Sequence, residues 1–433
     1  MSGAARWRTT ALWGLALLPP LFLAAMYLRY SLDFPYWDQW EFVLFLRKYH
    51  AGELGWADFW AQHNEHRLVF PRLLMLGLAL ATDWNIYAEL ATNFLLGVCM
   101  FISVCACVYR CAKDPDARPI GVVLVSLCLF SLSQWQNWFL GWQLQEFLNV
   151  LAAVLAVHWL SDARGGWGRL AGALVAALVA TYSFANGMLL WPVGLGVLWL
   201  AGGEQLRARV LVWVSVGVLV GASYLYGYQT PEAHPAPWEV WRYPLSFVAY
   251  AAAWLGQPLV AFHAGGAMLA GALGVAAWAV WLVRLRGRPD TAALRAWAWG
   301  LGGYALASAL MTAAGRAEIG VEQAMSSRYV TLANPLWVAL VVLGHAAWRR
   351  GHARRAAALA LAVLFAASSL YGAYRWTERY SVYRSLRPAL MTSGNPDDFR
   401  RLYPVDVPEG TPDLVERRDM LREMGLSVFR GGE

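Results

Sequence analysis

Thr9-Thr10-Ala11-Leu12-Trp13-Gly14-Leu15-Ala16-Leu17-Leu18-Pro19-Pro20-Leu21-Phe22-Leu23-Ala24-Ala25-Met26-Tyr27-Leu28 carries no charge. It runs into Arg29-Tyr30-Ser31-Leu32-Asp33-Phe34-Pro35-Tyr36-Trp37-Asp38-Gln39-Trp40-Glu41. An uncharged apolar run of about 20 residues is what a helix needs to cross a bilayer. Arg6 and Arg8 precede it. A secretory signal would have a shorter apolar run and a small-residue cleavage site after it. Neither is present, so the run reads as an uncleaved span with its N-terminus in the cytoplasm, and Asp33 to Glu41 as the start of an outer loop.

The rest of the chain repeats the pattern. Of 433 residues, 59% are apolar and 15% charged, against about 25% charged in soluble domains. That balance excludes disorder, a disulfide scaffold and a simple soluble enzyme. The 25 Trp and 19 Tyr suit rings that favour the headgroup zone. Further apolar runs lie near 86–109, 119–133, 147–161, 170–184, 188–202, 210–228, 265–283, 294–314, 332–348 and 356–373, which makes eleven spans with the first. Two more, 68–82 and 245–263, are broken by Pro71-Arg72 and Gly256-Gln257-Pro258. Cytoplasmic loops carry the excess of Arg and Lys. If neither broken run crosses, the inner loops 1–8, 110–118, 162–169, 203–209, 284–295 and 349–355 hold 17 cations against 5 acids. If both crossed, three of those loops, with seven cations, would flip outside. The expected fold is therefore an all-α polytopic membrane protein of about 11 spans (11–13 if the broken runs cross), with 68–82 and 245–263 as juxtamembrane or re-entrant helices. The membrane domain covers 1–374, with a first outer loop of about 30–85. A small extracytoplasmic tail, 375–433, carries ten cations and ten acids and reads as a cap or as partly disordered. The location is a bacterial inner or plasma membrane, C-terminus outside.

Cysteine usage adds little chemistry. Cys99, Cys105, Cys107, Cys111 and Cys128 sit in or beside apolar runs. Their spacing fits small helix fillers better than a zinc site. Nothing resembles a phosphate-cradling Gly-rich loop or a basic nucleic-acid stripe, so no nucleic-acid partner is expected.

Polar groups gather in three outer loops. The first holds six acids between residues 33 and 65. Asp38 and Glu41 are three residues apart and share a face of any helix that starts near Trp37, with Trp37 and Trp40 as interfacial anchors. Asp38 is either the N-cap of that helix or a carboxylate held above the bilayer facing a membrane-bound substrate. The same loop ends His63-Asn64-Glu65-His66-Arg67 before Pro71-Arg72. Metal ligation, anion binding by Arg67 or Arg72 and lipid-headgroup contact are the readings of that cluster, and no metal site is assigned. The second loop interleaves Trp135, Trp138 and Trp142 with Gln134, Gln136, Asn137, Gln143 and Gln145. That suits a sugar, or an aromatic belt. The third carries Glu318, Glu322 and Ser326-Ser327-Arg328-Tyr329, with Arg328 placed to pair with a lipid-linked phosphate or to snorkel.

This layout resembles the GT-C superfamily of membrane glycosyltransferases, which includes protein O-mannosyltransferases and aminoarabinose transferases. The resemblance rests on Asp33 to Glu41 after the first span, on Glu65-His66-Arg67 with Pro71, and on the span count and orientation. It implies a sugar donor on a polyprenyl phosphate, an acidic first-loop residue at the reaction centre and basic residues on the phosphate. Asp38 matches the acidic position as catalytic base. Asp33, Glu41, Glu65, His66, Arg67, Arg328 and Tyr329 then line the substrates. Implied partners are the polyprenyl-phosphate-linked sugar, membrane lipids and an acceptor glycan, lipid or protein. A divalent cation is compatible with the superfamily and not required by this logic. An O-antigen-type polymerase would be expected to rely on large Arg-rich late loops. A flippase or transporter would be expected to show repeat symmetry and mid-membrane broken helices.

Overall fold

The computed structural model describes residues 3–111, 118–230, 242–347, 351–405 and 410–431. Most of loop 110–118, with Lys113, lies outside them, as do Arg349 and Arg350.

Each of the eleven expected runs is a helix. Helix α1 is Gly3–Tyr30 and carries Pro19 and Pro20 inside it. The first loop then folds into α2 (Gln39–His50), α3 (Trp56–Trp60) and a two-residue antiparallel hairpin, β1 (Gln62–His63) with β2 (His66–Arg67). Next come α4 (Val69–Thr82), α5 (Ile86–Cys111), α6 (Arg118–Leu129), the short α7 (Trp135–Phe139) and α8 (Leu144–Leu160). They are followed by α9 (Trp167–Thr181), α10 (Leu190–Ala201), α11 (Leu206–Leu225), α12 (Pro244–Gly256), α13 (Ala264–Arg284) and α14 (Ala292–Arg316). The chain closes with α15 (Val321–Ala324), α16 (Val330–Ala347), α17 (His352–Ser385), α18 (Arg387–Thr392) and α19 (Leu414–Met424).

Eight segments among the described residues are long and apolar enough to cross a membrane, and the chain is a helical membrane protein. They contain α1, α5, α6, α8, α11, α13, α16 and α17. Helix α14 is long but less apolar. Helices α9 and α10 are short, as are α4 and α12. At 1.5 Å per residue, α4 and α12 reach about 20 Å of a hydrocarbon core of about 30 Å, but α9 and α10, expected as spans, have only 15 and 12 residues, so helix length does not separate the two groups. Helix α12 lies back against α13. A Cβ on Gly256 would run into the Ala267 carbonyl, and one on Gly271 into the Ala252 carbonyl. Glycine at both places lets the two backbones touch, the small-residue packing that joins helices in lipid.

The short α9–α10 pair matters for what sits above it. Its connecting turn is buried at Ser183, Ala185 and Asn186, and the first loop fills the space the two helices leave. Phe70 N–H donates to Tyr182 O at 3.3 Å, and Ala185 N–H donates to His66 Nδ1 at 3.1 Å.

The second loop lies in the interior and is no interfacial belt. Trp138, Trp142 and Asn137 are buried. Its amides serve other loops: Gln136 Oε1 accepts from Ser327 Oγ at 2.8 Å, and Asn137 Nδ2 donates to Arg328 O at 2.7 Å. The second loop is thus the scaffold of the third.

The tail is an ordered cap over its described residues. Helix α17 runs on from the bundle to Ser385, about 51 Å in all, past the boundary expected at 374. Trp37 N–H donates to Leu402 O at 2.5 Å, and Ser427 N–H to Asp83 O at 2.9 Å. Trp37 and Trp40 are therefore not lipid anchors. Trp40 has no exposed surface, and the Trp37 indole donates to Tyr383 Oη at 2.9 Å.

Candidate functional site

Asp38 closes a turn whose backbone is strained at Trp37, with φ +52. Such a conformation costs about 1–3 kcal/mol in a residue other than glycine and persists only where the surroundings enforce it. The tail supplies that enforcement through both Trp37 donors. Helix α2 begins at Gln39 with Asp38 as its N-cap by position, yet the Asp38 side chain makes no capping hydrogen bond. The capping reading of this carboxylate therefore fails. Asp38 is half-buried. Burial raises its pKa above the ordinary carboxylate value, with Glu41 adding to the rise and His63 and Arg328 opposing it.

Those four groups come from three separate stretches of chain. The β1–β2 hairpin brings His63 up to Asp38, with its ring against the edge of Trp142 at 5.1 Å. Burial lowers the pKa of His63, with Asp38 and Glu41 opposing, so its imidazole is neutral near pH 7. Behind it, His66 is buried against Phe184, ring centroids 4.0 Å apart. Burial drops its pKa to about 4. Its Nδ1 accepts from Ala185 N–H, so the proton of the neutral ring sits on Nε2. That atom lies 3.8 Å from Glu65 Oε1.

Glu65 meets a residue that the sequence did not single out. Arg316, at the end of α14, places Nη2 2.9 Å from Glu65 Oε1 and Nη1 2.9 Å from Tyr329 Oη. Gln323 Nε2 also donates to that phenol oxygen at 2.8 Å, and Arg328 Nη2 approaches it at 3.4 Å. Three donors thus converge on one oxygen. The Arg328 guanidinium lies over the Tyr329 ring at 5.2 Å, and its buried Nε has no hydrogen-bond partner among the described residues. The carboxylates that bear on Arg328 are Asp38 and Glu146, the latter buried on α8 beneath it. Arg328, partly unpaired among the described residues, therefore bears on Asp38, while Arg316 is held beside it on the Tyr329 hydroxyl.

Other expected site residues do different work. Arg67 is buried, and its guanidinium donates to Tyr224 O, Trp60 O and Tyr226 O at 2.7, 2.9 and 2.6 Å. With all three nitrogens on backbone carbonyls it staples the first loop to the end of α11. Asp33 is paired with Arg430 of the tail, 3.0 Å from Nη2. Glu41 stands one helical turn from Asp38, but its Oε1 accepts from Tyr403 Oη and from Arg417 Nη1. Burial raises its pKa, those hydrogen bonds and the Arg417 charge lower it, and the net direction is down.

Arg316 had one signal in the sequence: it closes an apolar run of the length of a span. That position is equally common for a snorkelling cation, so only its contacts distinguish it. No group of three or more His, Cys, Asp or Glu side chains among the described residues is arranged to hold a metal ion. No family model, curated protein or solved structure matches the chain.

Proposed function

We propose that this chain is a membrane glycosyltransferase of the GT-C kind. It would move a sugar from a polyprenyl phosphate to an acceptor hydroxyl or amine at the outer face, with inversion. The observation that carries the reading is Asp38: a half-buried carboxylate on a strained turn, with no side-chain hydrogen bond among the described residues and with the Arg328 charge bearing on it.

In this reading the donor phosphate sits on Arg328 and Arg316, whose guanidinium forks suit phosphate oxygens. The acceptor sits on the Asp38–His63 side. Asp38 takes the proton of the acceptor group as its oxygen or nitrogen attacks the anomeric carbon opposite the phosphate. The bond from that carbon to the phosphate oxygen breaks, and its electron pair leaves on the polyprenyl phosphate. The two arginines stabilise the added charge. A phosphate is already a good leaving group, so a base is the main help needed. The raised pKa of Asp38 makes it a stronger base, and the neutral His63 adds no competing charge. The end of the bundle that holds the first loop and the tail would face outward.

The test is Asp38→Asn, assayed in proteoliposomes with a panel of polyprenyl-phosphate sugars and glycan, lipid and peptide acceptors. We expect unchanged thermal stability and transfer lowered about 10²–10⁴-fold. Wild-type transfer by Asp38→Asn would remove the base assignment. Movement of the lipid-linked sugar across the vesicle without transfer would favour a flippase. Orientation is tested by Arg164→Cys in a Cys-free background: labelling from outside by an impermeant reagent would overturn the outward placement of the first loop.

A further inference from the structure

Two carboxylates stand one helical turn apart at the start of α2, and among the described residues Glu41 has side-chain hydrogen-bond partners while Asp38 has none. Glu41 is engaged by the tail. Arg417 Nη1 lies 2.9 Å from Glu41 Oε1 and also approaches Trp40 O at 3.4 Å, while its Nε donates to Pro412 O at 3.0 Å. The Arg417 side chain is only 2% exposed. Tyr403 donates its hydroxyl to the same oxygen and lies under the Arg417 guanidinium at 5.4 Å. The groups facing Glu41 are thus Tyr403, Arg417 and His63, and those facing Asp38 are His63, Arg328 and Glu41.

An unpaired Glu41 would put a full negative charge one helical turn from Asp38 and raise its proton affinity further. Tying Glu41 to a buried cation offsets that charge.

We propose that Arg417 of the C-terminal tail is a positioning residue for Asp38. By pairing with Glu41 it takes the second carboxylate out of the site and keeps Asp38 ionised as the acceptor of the proton. The tail is then part of the active site and regulates its base, although it contributes no group to the substrates. This rests on Asp38 being the reactive carboxylate, but its test does not need transfer to be measured.

The test uses the full chain in lipid nanodiscs. A water-soluble carbodiimide with an amine modifies carboxyls in their protonated form. The extent of modification at Asp38 is followed against pH, with the site assigned by peptide fragmentation. We expect Arg417→Gln to raise the Asp38 midpoint by about 1 in pH, and Arg417→Lys to restore part of it. Glu41→Gln should lower the midpoint, and adding Arg417→Gln to it should change nothing more, because Arg417 acts through Glu41. An unmoved midpoint in Arg417→Gln overturns the proposal. So does an equal shift in the Glu41→Gln background, which would make Arg417 a direct influence on Asp38. If Arg417→Gln does not fold, Tyr403→Phe removes one of the two hydrogen bonds on Glu41 and keeps the cation. It should give a smaller rise, and no rise overturns the proposal equally. Wild-type transfer in Asp38→Asn alongside these shifts would reject Asp38 as base while leaving the tail's hold on it intact.

Discussion

Arg67 and Arg72 in the first loop, and Arg316 and Arg328 in the third, are the same residue type in similarly crowded surroundings, and they do opposite things. Arg67 gives its nitrogens to three backbone carbonyls. Arg72 gives Nη1 to the carbonyls of Asp58, Phe59 and Ala61, closing the end of α3. Arg67 thus has every guanidinium nitrogen on a backbone carbonyl, and Arg72 is anchored through Nη1. Arg316 and Arg328 rest on side chains, Glu65 and Tyr329, and the Arg328 Nε has no partner among the described residues. A side-chain partner can turn away when a phosphate arrives, whereas a backbone carbonyl cannot leave without unfolding its segment. The histidines repeat the contrast: His66 is fixed by a backbone N–H and a ring, while His63 faces Asp38.

The largest expected effect tests the structural half of this contrast. Arg67→Met should destabilise the protein by about 3–5 kcal/mol, because three buried carbonyls lose charge-assisted partners at once. Thermal melting in detergent would show it. A melting temperature near wild type, with phosphate binding lost, would turn the comparison around.

His66 gives the next effect, through pH. Its pKa is near 4 folded and about 6.5 unfolded. Between those values the unfolded chain binds more protons, so stability falls as pH drops from about 6.5 to 4. The full loss is about 3 kcal/mol. Melting curves at pH 7 and pH 5 should separate clearly in the wild type and much less in His66→Gln. Equal separation in both would place the pH response elsewhere.

Arg328→Ala probes the ligand half. Binding of polyprenyl phosphate, read by titration, should weaken by about 1.5–3 kcal/mol with little change in melting. Arg328→Lys should recover part, since a point charge replaces a fork. Binding as tight as wild type in Arg328→Ala would reject the phosphate seat. The smallest effect belongs to the tail: Tyr403→Phe removes one hydrogen bond on a half-buried carboxylate and should cost about 0.5–1.5 kcal/mol, measured by denaturant or thermal unfolding.

Hydropathy made the helices legible. Every apolar run in the sequence is a helix, because spanning segments must satisfy their own backbone in lipid. The break expected at Pro71-Arg72 does not interrupt α4, which runs from Val69 to Thr82, whereas α12 does end at Gly256. The site was legible in part. Asp38, His63, Glu65 and Arg328 stood out as polar groups near span ends, and they converge. Arg67 stood out equally and does not, since a guanidinium beside a membrane reads the same whether its partners are carbonyls or a ligand. The role of the second loop was hidden for a similar reason: amides and indoles look alike whether they bind a sugar or the neighbouring loop.

By itself, then, the sequence determined the helices and the crowding of polar groups beside their ends, because an apolar segment must satisfy its own backbone locally. Which carboxylate lacks a partner, which arginine is already satisfied, and that the tail folds over Asp33 to Glu41 were decided only by the tertiary structure. Those properties depend on partners such as Arg417, 376 residues from Glu41 in the chain, and no local pattern encodes a pairing at that distance.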